Sequence, residues 1–175
     1  EYDDVMNNQR TVVYGYRNEV MNTEDPHAMI IDIVEESIPE KLESEYYDTE
    51  NDRIDWDSAL NWLNGIIPLG LTVESGKFDE RDLEENVDFV VDQAKAAYNL
   101  KCAHEDPEVL EDLERFTILN SVDQLWQEHL YEMDGLRDGI SNYRHAQKDP
   151  LVEYKVAAYD LFVGLMNEIK GQVLE

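Results

Sequence analysis

The sequence predicts an all-α fold, and three observations predict it. Three Asp-Pro dipeptides (Asp25-Pro26, Asp106-Pro107, Asp149-Pro150) are spaced as helix starts. Apolar residues recur at steps of three and four over the last seventy positions. Eight glycines and five prolines in 175 residues leave room for long helices. This length is enough for one medium domain or two small ones, each with a core of its own.

The elements follow in order. Val5, Val12, Tyr16 and Val20 give an amphipathic pattern and predict a helix over 3–22. Each Asp-Pro is a start signal because aspartate accepts the free N–H groups of a first turn. Proline at the next position loses nothing, since its missing N–H has no partner there. A second helix is expected from Pro26 through Ile30, Ile33, Val34 and Ile38, with Pro39 kinking or ending it. From about 48 to 78 the pattern weakens among Asp, Asn and the breakers Gly65, Pro68, Gly70 and Gly76. One short helix is expected at Trp56–Leu63, stopped by Gly65. Asp79 is expected to cap the next helix, with Phe78 packing on Leu83, and that helix should reach about Cys102.

After Pro107 the stripe Phe116, Leu119, Val122, Trp126, His129, Met133, Leu136 and Ile140 predicts one long helix. After Pro150 a second stripe holds Val152, Lys155, Tyr159, Phe162, Met166, Ile169 and Val173. The short polar connection from Ser141 to Asp149 makes the two an antiparallel hairpin.

Charge removes whole classes of function. Forty-one acidic residues against fourteen basic give a net charge of −27, which repels nucleic-acid phosphates and excludes nucleic-acid binding. Only the stretch Arg137 to Lys155, with four basic residues and three acidic, escapes this negative character. The single Cys102 forms no internal disulfide and no multi-cysteine zinc site, which fits a reducing compartment. No apolar run approaches the roughly 20 residues of a membrane-spanning helix. The chain starts without Met, inside an amphipathic pattern, and reads as an excised piece of a larger protein.

Catalytic patterns are mostly missing. The string Gly70 to Phe78 has five residues between its glycines where a phosphate loop has four, and Phe78 stands where a magnesium-binding hydroxyl is needed. His27, His104, His129 and His145 lie far apart, and none has a histidine four residues away. Cys102 and His104 lack two further ligands. His129 falls on the packing stripe beside Glu128 and Glu132, and is read as a core-edge histidine with a local hydrogen-bond partner, alongside Trp126. Adjacent carboxylates such as Glu84-Glu85 or Asp3-Asp4 are cheap in so acidic a chain and carry no sign of acid–base catalysis.

Several runs resemble one family. Glu1-Tyr2-Asp3-Asp4-Val5 with Asn8-Gln9-Arg10, then Tyr16-Arg17-Asn18-Glu19, are similar to the bacterial preprotein translocase ATPase SecA. So are Leu125-Trp126-Gln127-Glu128-His129-Leu130 with Met133-Asp134 and Leu136-Arg137, and Ala146-Gln147-Lys148-Asp149-Pro150 with Glu153-Tyr154-Lys155. The matches cover residues 1 to about 23 and 104 to 175, in the family's order.

The resemblance implies a C-terminal piece of that translocase. Residues 1–23 would be the distal part of a long scaffold helix, 24–103 a helical wing assigned by position, and 104–175 a two-helix finger with the end of the scaffold. It implies mechanical coupling: upstream motor domains bind ATP and Mg²⁺, while this piece holds no cofactor and is not itself an enzyme. Its implied partners are the SecYEG channel, preprotein substrates and the upstream motor domains, in the cytoplasm at the inner-membrane face of the channel. The finger tip, Tyr143, Arg144, His145, Gln147 and Lys148, would contact preprotein and channel, while Asp149 and Pro150 start the returning helix. Many family members carry tyrosine where this chain has His145, so the gripping ring is His145 or Tyr143. Two further readings compete: a free-standing acidic helical adaptor for a basic partner, and a metal-dependent hydrolase centred on His129.

Overall fold

Six helices dominate the computed structural model, which describes residues 1–141 and 149–175. They are α1 (Tyr2–Asn22), α2 (Pro26–Glu45), α3 (Trp56–Ile66), α4 (Leu83–Cys102), α5 (Pro107–Ser141) and α6 (Pro150–Leu174). The expected all-α class holds, with one addition. A two-stranded antiparallel ribbon pairs β1 (Tyr47–Asp48) with β2 (Arg53–Ile54), Tyr47 opposite Ile54. Helices α2, α5 and α6 each begin at the proline of an Asp-Pro pair. In α5 and α6 the aspartate accepts first-turn N–H groups: Asp106 from Glu108 (3.0 Å), and Asp149 from Leu151 (3.0 Å).

The chain forms two compact units. One joins residues 1–26 to 114–173, and the other comprises 27–113 with 174–175. In the first unit, contacts fix the helix directions. Arg137 pairs with Asp3, Arg17 with Asp123, and Arg115 donates to the carbonyls of Val20 and Thr23, so α1 runs antiparallel to α5. Met133 and Ile140 pack with Tyr154 and Ala158, while Gln124 meets Gln172, so α5 and α6 are antiparallel as well. Apolar burial of Val13 and Val20, of Ile118, Val122 and Met133, and of Tyr154, Leu165 and Ile169 drives this three-helix packing.

Both expected stripes of this unit need correction. In α5 the buried face opens with Glu114, Ile118 and Ser121 and then follows the expected Val122, Trp126, His129, Met133 and Ile140, while Phe116 is 63% exposed. In α6 the buried face is Tyr154, Ala158, Leu165 and Ile169, whereas Val152 and Tyr159 are 55% and 67% exposed. The physical reason is that α6 carries apolar residues on more than one side, so periodicity alone offers more than one packing face.

The second unit has an aromatic-rich core around Ile38, Leu42, Leu60, Leu63, Phe78, Val90 and Ala94. Three expected boundaries shift here. Helix α2 runs through Pro39 to Glu45, because the next turn buries Leu42 to 1% exposure. Burying such a side chain contributes about 1.5–3 kcal/mol, which offsets a proline cost of about 3 kcal/mol together with Ile38. Helix α3 passes Gly65 and ends at Ile66, just before Pro68 forbids another turn. Helix α4 is capped by Asp82 instead of Asp79: Asp82 accepts from the Glu85 N–H at 2.8 Å, and the Glu85 carboxylate accepts from the Asp82 N–H at 3.2 Å. Residues Phe78–Glu80 form a 3₁₀ turn instead, and Phe78 is buried while Leu83 stays 42% exposed.

Candidate functional site

The buried polar group that organises the first unit is His129. On α5, its ring is 2% exposed, 5.5 Å from the Trp126 ring on its own helix and 6.1 Å from Phe162 on α6. Its Nε2 lies 2.7 Å from Gln9 Oε1 on α1, and Gln9 Nε2 donates to the Ala158 carbonyl of α6 at 3.0 Å. A carbonyl only accepts, so the Gln9 amide nitrogen must face Ala158 and its oxygen must face the histidine. His129 is therefore the donor through Nε2–H. Its Nδ1 is buried without a partner among the described residues, and burial pushes the ring's pKa below the ordinary value of 6.5. A neutral, buried ring with its one N–H committed to Gln9 suits a packing role better than hydrolysis.

Trp126 is 7% exposed and meets Tyr14 edge-on at 6.4 Å. Tyr14, Trp126 and Met21 line a cavity of about 430 Å³ beside the Arg17–Asp123 pair, whose two contacts measure 2.7 and 3.2 Å. At the hairpin, Asp149 and Pro150 open α6 as described. Tyr143, Arg144, His145, Gln147 and Lys148 lie outside the described residues.

The second unit holds a larger cavity, about 1040 Å³, beside the ribbon and lined among others by Tyr46, Tyr47, Trp56, Phe78 and several aspartates. These aspartates serve local turns. Asp48 accepts from Asn51 and from the Glu50 N–H, and Asp55 caps α3 through Ser58. Side-chain hydrogen bonds from Asn51 and Ser58 hold the two carboxyls below the usual carboxylate range. Asp52 accepts the Tyr47 hydroxyl.

The Gly70–Phe78 loop also turns inward. The N–H groups of Thr72, Ser75, Gly76, Lys77 and Phe78 all bond within residues 72–75, so they form no cradle for phosphate. Phe78 packs against Trp56 at 4.7 Å and Phe89 at 5.9 Å, with the Arg81 guanidinium 4.1 Å from the Phe89 ring.

Sequence reasoning missed Gln9, a polar residue on an apolar helix face. The available signal was its position in the α1 pattern, four residues before the buried Val13.

The family described as "SecA Wing and Scaffold domain" matches residues 1–175. The protein named protein translocase subunit SecA from Trichormus variabilis is 33% identical over 180 residues, covering 99% of this chain and 19% of that protein. Its counterpart from Prosthecochloris aestuarii is 34% identical over 174 residues, covering 99% of this chain and 16% of that protein. That from Synechococcus sp. strain RCC307 is 34% identical over 179 residues, with 99% and 19% covered. The chain thus spans less than a fifth of the length of these relatives.

Proposed function

Because the chain belongs to the SecA wing and scaffold domain family, we propose that it couples ATP hydrolysis, carried out by motor domains elsewhere in the complete polypeptide, to preprotein movement through the SecY channel. In this reading 1–23 are the distal scaffold helix, 24–103 the helical wing, and 104–175 the two-helix finger with the end of the scaffold. The finger tip, Tyr143 to Lys148, contacts preprotein and the SecYEG channel at the cytoplasmic face of the inner membrane. The chain itself binds neither ATP nor Mg²⁺ and catalyses no reaction. Among the described residues no helix is long and apolar enough to cross a membrane.

The observation that carries the reading is the bonding of one α1 side chain to both helices of the hairpin, Gln9 to His129 and to Ala158. A hairpin held this way moves with the scaffold helix as one body, which a lever requires. A tip ring grips a passing chain by non-directional apolar contact, suited to substrates of varying sequence. Arg144 and Lys148 add positive charge where the chain otherwise has little.

The test replaces both rings, Tyr143→Gly with His145→Gly, in the complete polypeptide. Translocation, read as protease-protected preprotein in vesicles, should be abolished while basal ATP hydrolysis stays near normal. Unimpaired transport would make the tip a mere connector. Saturable, stoichiometric ATP binding by the 175-residue chain in calorimetry would contradict its placement outside the motor.

A further inference from the structure

Helix α6 carries a second apolar stripe that its own unit leaves open. Val152, Val156, Tyr159 and Val163 are between 40% and 67% exposed, on the side away from buried Tyr154, Ala158, Leu165 and Ile169. Their spacing is four, three and four, and at about 100° per residue they fall within an arc of about 60°. That is the narrow seam of a coiled coil, and half-buried Met166 extends it by one further step of three. Val156 and Val163 take the a positions, with Val152, Tyr159 and Met166 at d. A β-branched residue at a, with side chains unbranched at Cβ at the inner d positions, suits a two-stranded parallel pair.

The charges beside the seam say what fits it. Lys155 borders one edge, at g, and Asp160 the other, at e, and both are exposed. Neither has a residue of opposite charge three or four positions away, so α6 itself offers neither of them an ion-pair partner. In a parallel pair, a g residue meets the e residue five positions further along the facing helix. Lys155 then faces Asp160 of a second copy, and the twofold axis makes the contact twice. An antiparallel pair would set each edge against its own kind, with Glu153 and Asp160 on their counterparts and no carboxylate for Lys155. The edge charges of α6 are thus complementary to a parallel copy of α6. We propose that the outer face of α6 is a self-association surface, on which two copies of this chain pair in parallel and in register through Val156, Tyr159 and Val163. So short a seam suffices because α6 is already folded in its own unit, and pairing needs no helix nucleation. The contact is small, so association is weak and reversible. It sets Pro150 of both copies at one end of the seam. The inference stands independently of the transport reading.

The test uses the 175-residue chain with Cys102→Ala and one new cysteine on the seam. Val152→Cys chains are mixed with mass-tagged Val163→Cys chains and oxidised with glutathione. Parallel pairing sets each cysteine against its own counterpart, so untagged and doubly tagged disulfide dimers should exceed the mixed dimer at least about 10-fold, since only facing positions come within bridging distance. A dominant mixed dimer would mean antiparallel pairing and overturn the proposal, as would the statistical mixture given by random collision. Sedimentation equilibrium of the chain without new cysteines reads the charges. Self-association should weaken about 10-fold in Lys155→Asp and return to within about 3-fold of its original strength in Lys155→Asp/Asp160→Lys, where the two charges are exchanged. Both positions are exposed, so the helix content seen by circular dichroism should not change. Failure of the exchange to restore association overturns the pairing, and a chain that stays monomeric at every concentration overturns the surface itself. Val156→Cys in the complete polypeptide should give the same disulfide dimer. Its absence there, with the 175-residue chain dimeric, would assign the face to a cover within the same polypeptide and overturn the proposal too.

Discussion

The two units solve the same problem with different means. The first, residues 1–26 with 114–173, has 16 acidic and eight basic residues and is built from three long helices whose apolar faces meet around a buried polar tie. The second, 27–113 with 174–175, has 25 acidic and six basic residues, shorter helices, a ribbon and a long irregular stretch, and it relies on packed rings and side-chain caps. Where helices are long, repetition of weak contacts defines the unit. Where they are short, single residues carry it, so substitutions in the second unit should be the more damaging.

Phe78→Ala tests that contrast hardest. It empties the contact among Trp56, Phe89 and Arg81, and should cost about 3–5 kcal/mol, read from the urea midpoint. A loss under 1 kcal/mol would erase the distinction between the units. His129→Ala in the first unit should cost less, about 1–3 kcal/mol, because neighbouring turns of the stripe remain. Asp82→Ala removes one side of the α4 capping box and should cost about 1 kcal/mol; amide exchange in the first turn of α4 would report it. The Arg17–Asp123 pair is solvent-exposed, and Arg17→Ala should change stability by less than about 1 kcal/mol, with that change shrinking further in salt.

Acidity separates the units in another way. The folded state holds His129 neutral, with a pKa below 6.5, while the unfolded chain takes up its proton at the ordinary value. The unfolded state then binds more protons between the two values, so the stability contributed by the neutral ring is present above pH 6.5 and declines as the pH falls toward the lowered value. His129→Gln should flatten that segment of the stability–pH curve, and an unchanged slope would assign it to other groups.

The same contrast governs what could be read in advance. The Asp-Pro starts, the lengths of α1, α4, α5 and α6 and the hairpin were legible, because proline and 3.6-residue periodicity act locally. The face of α6 was not, since apolar residues on more than one side of the helix satisfy the same period. The α4 cap was misplaced by three residues although Asp82 and Glu85 form the reciprocal pattern; Asp79 offered the nearer aspartate, and only the burial of Phe78 draws residues 78–80 into a separate turn. The ribbon went unseen because two-residue strands carry no period. His129 was legible as a core-edge residue, but Gln9, its partner, was hidden in the polar run 7–11.

The most direct test of the coupling role places a photoreactive amino acid at position 145 in the complete translocase subunit and irradiates it with an arrested preprotein and the SecY channel. The account predicts adducts to the preprotein during ATP-driven transport and to the channel without it. Labelling of neither, in a subunit that still transports, would contradict it.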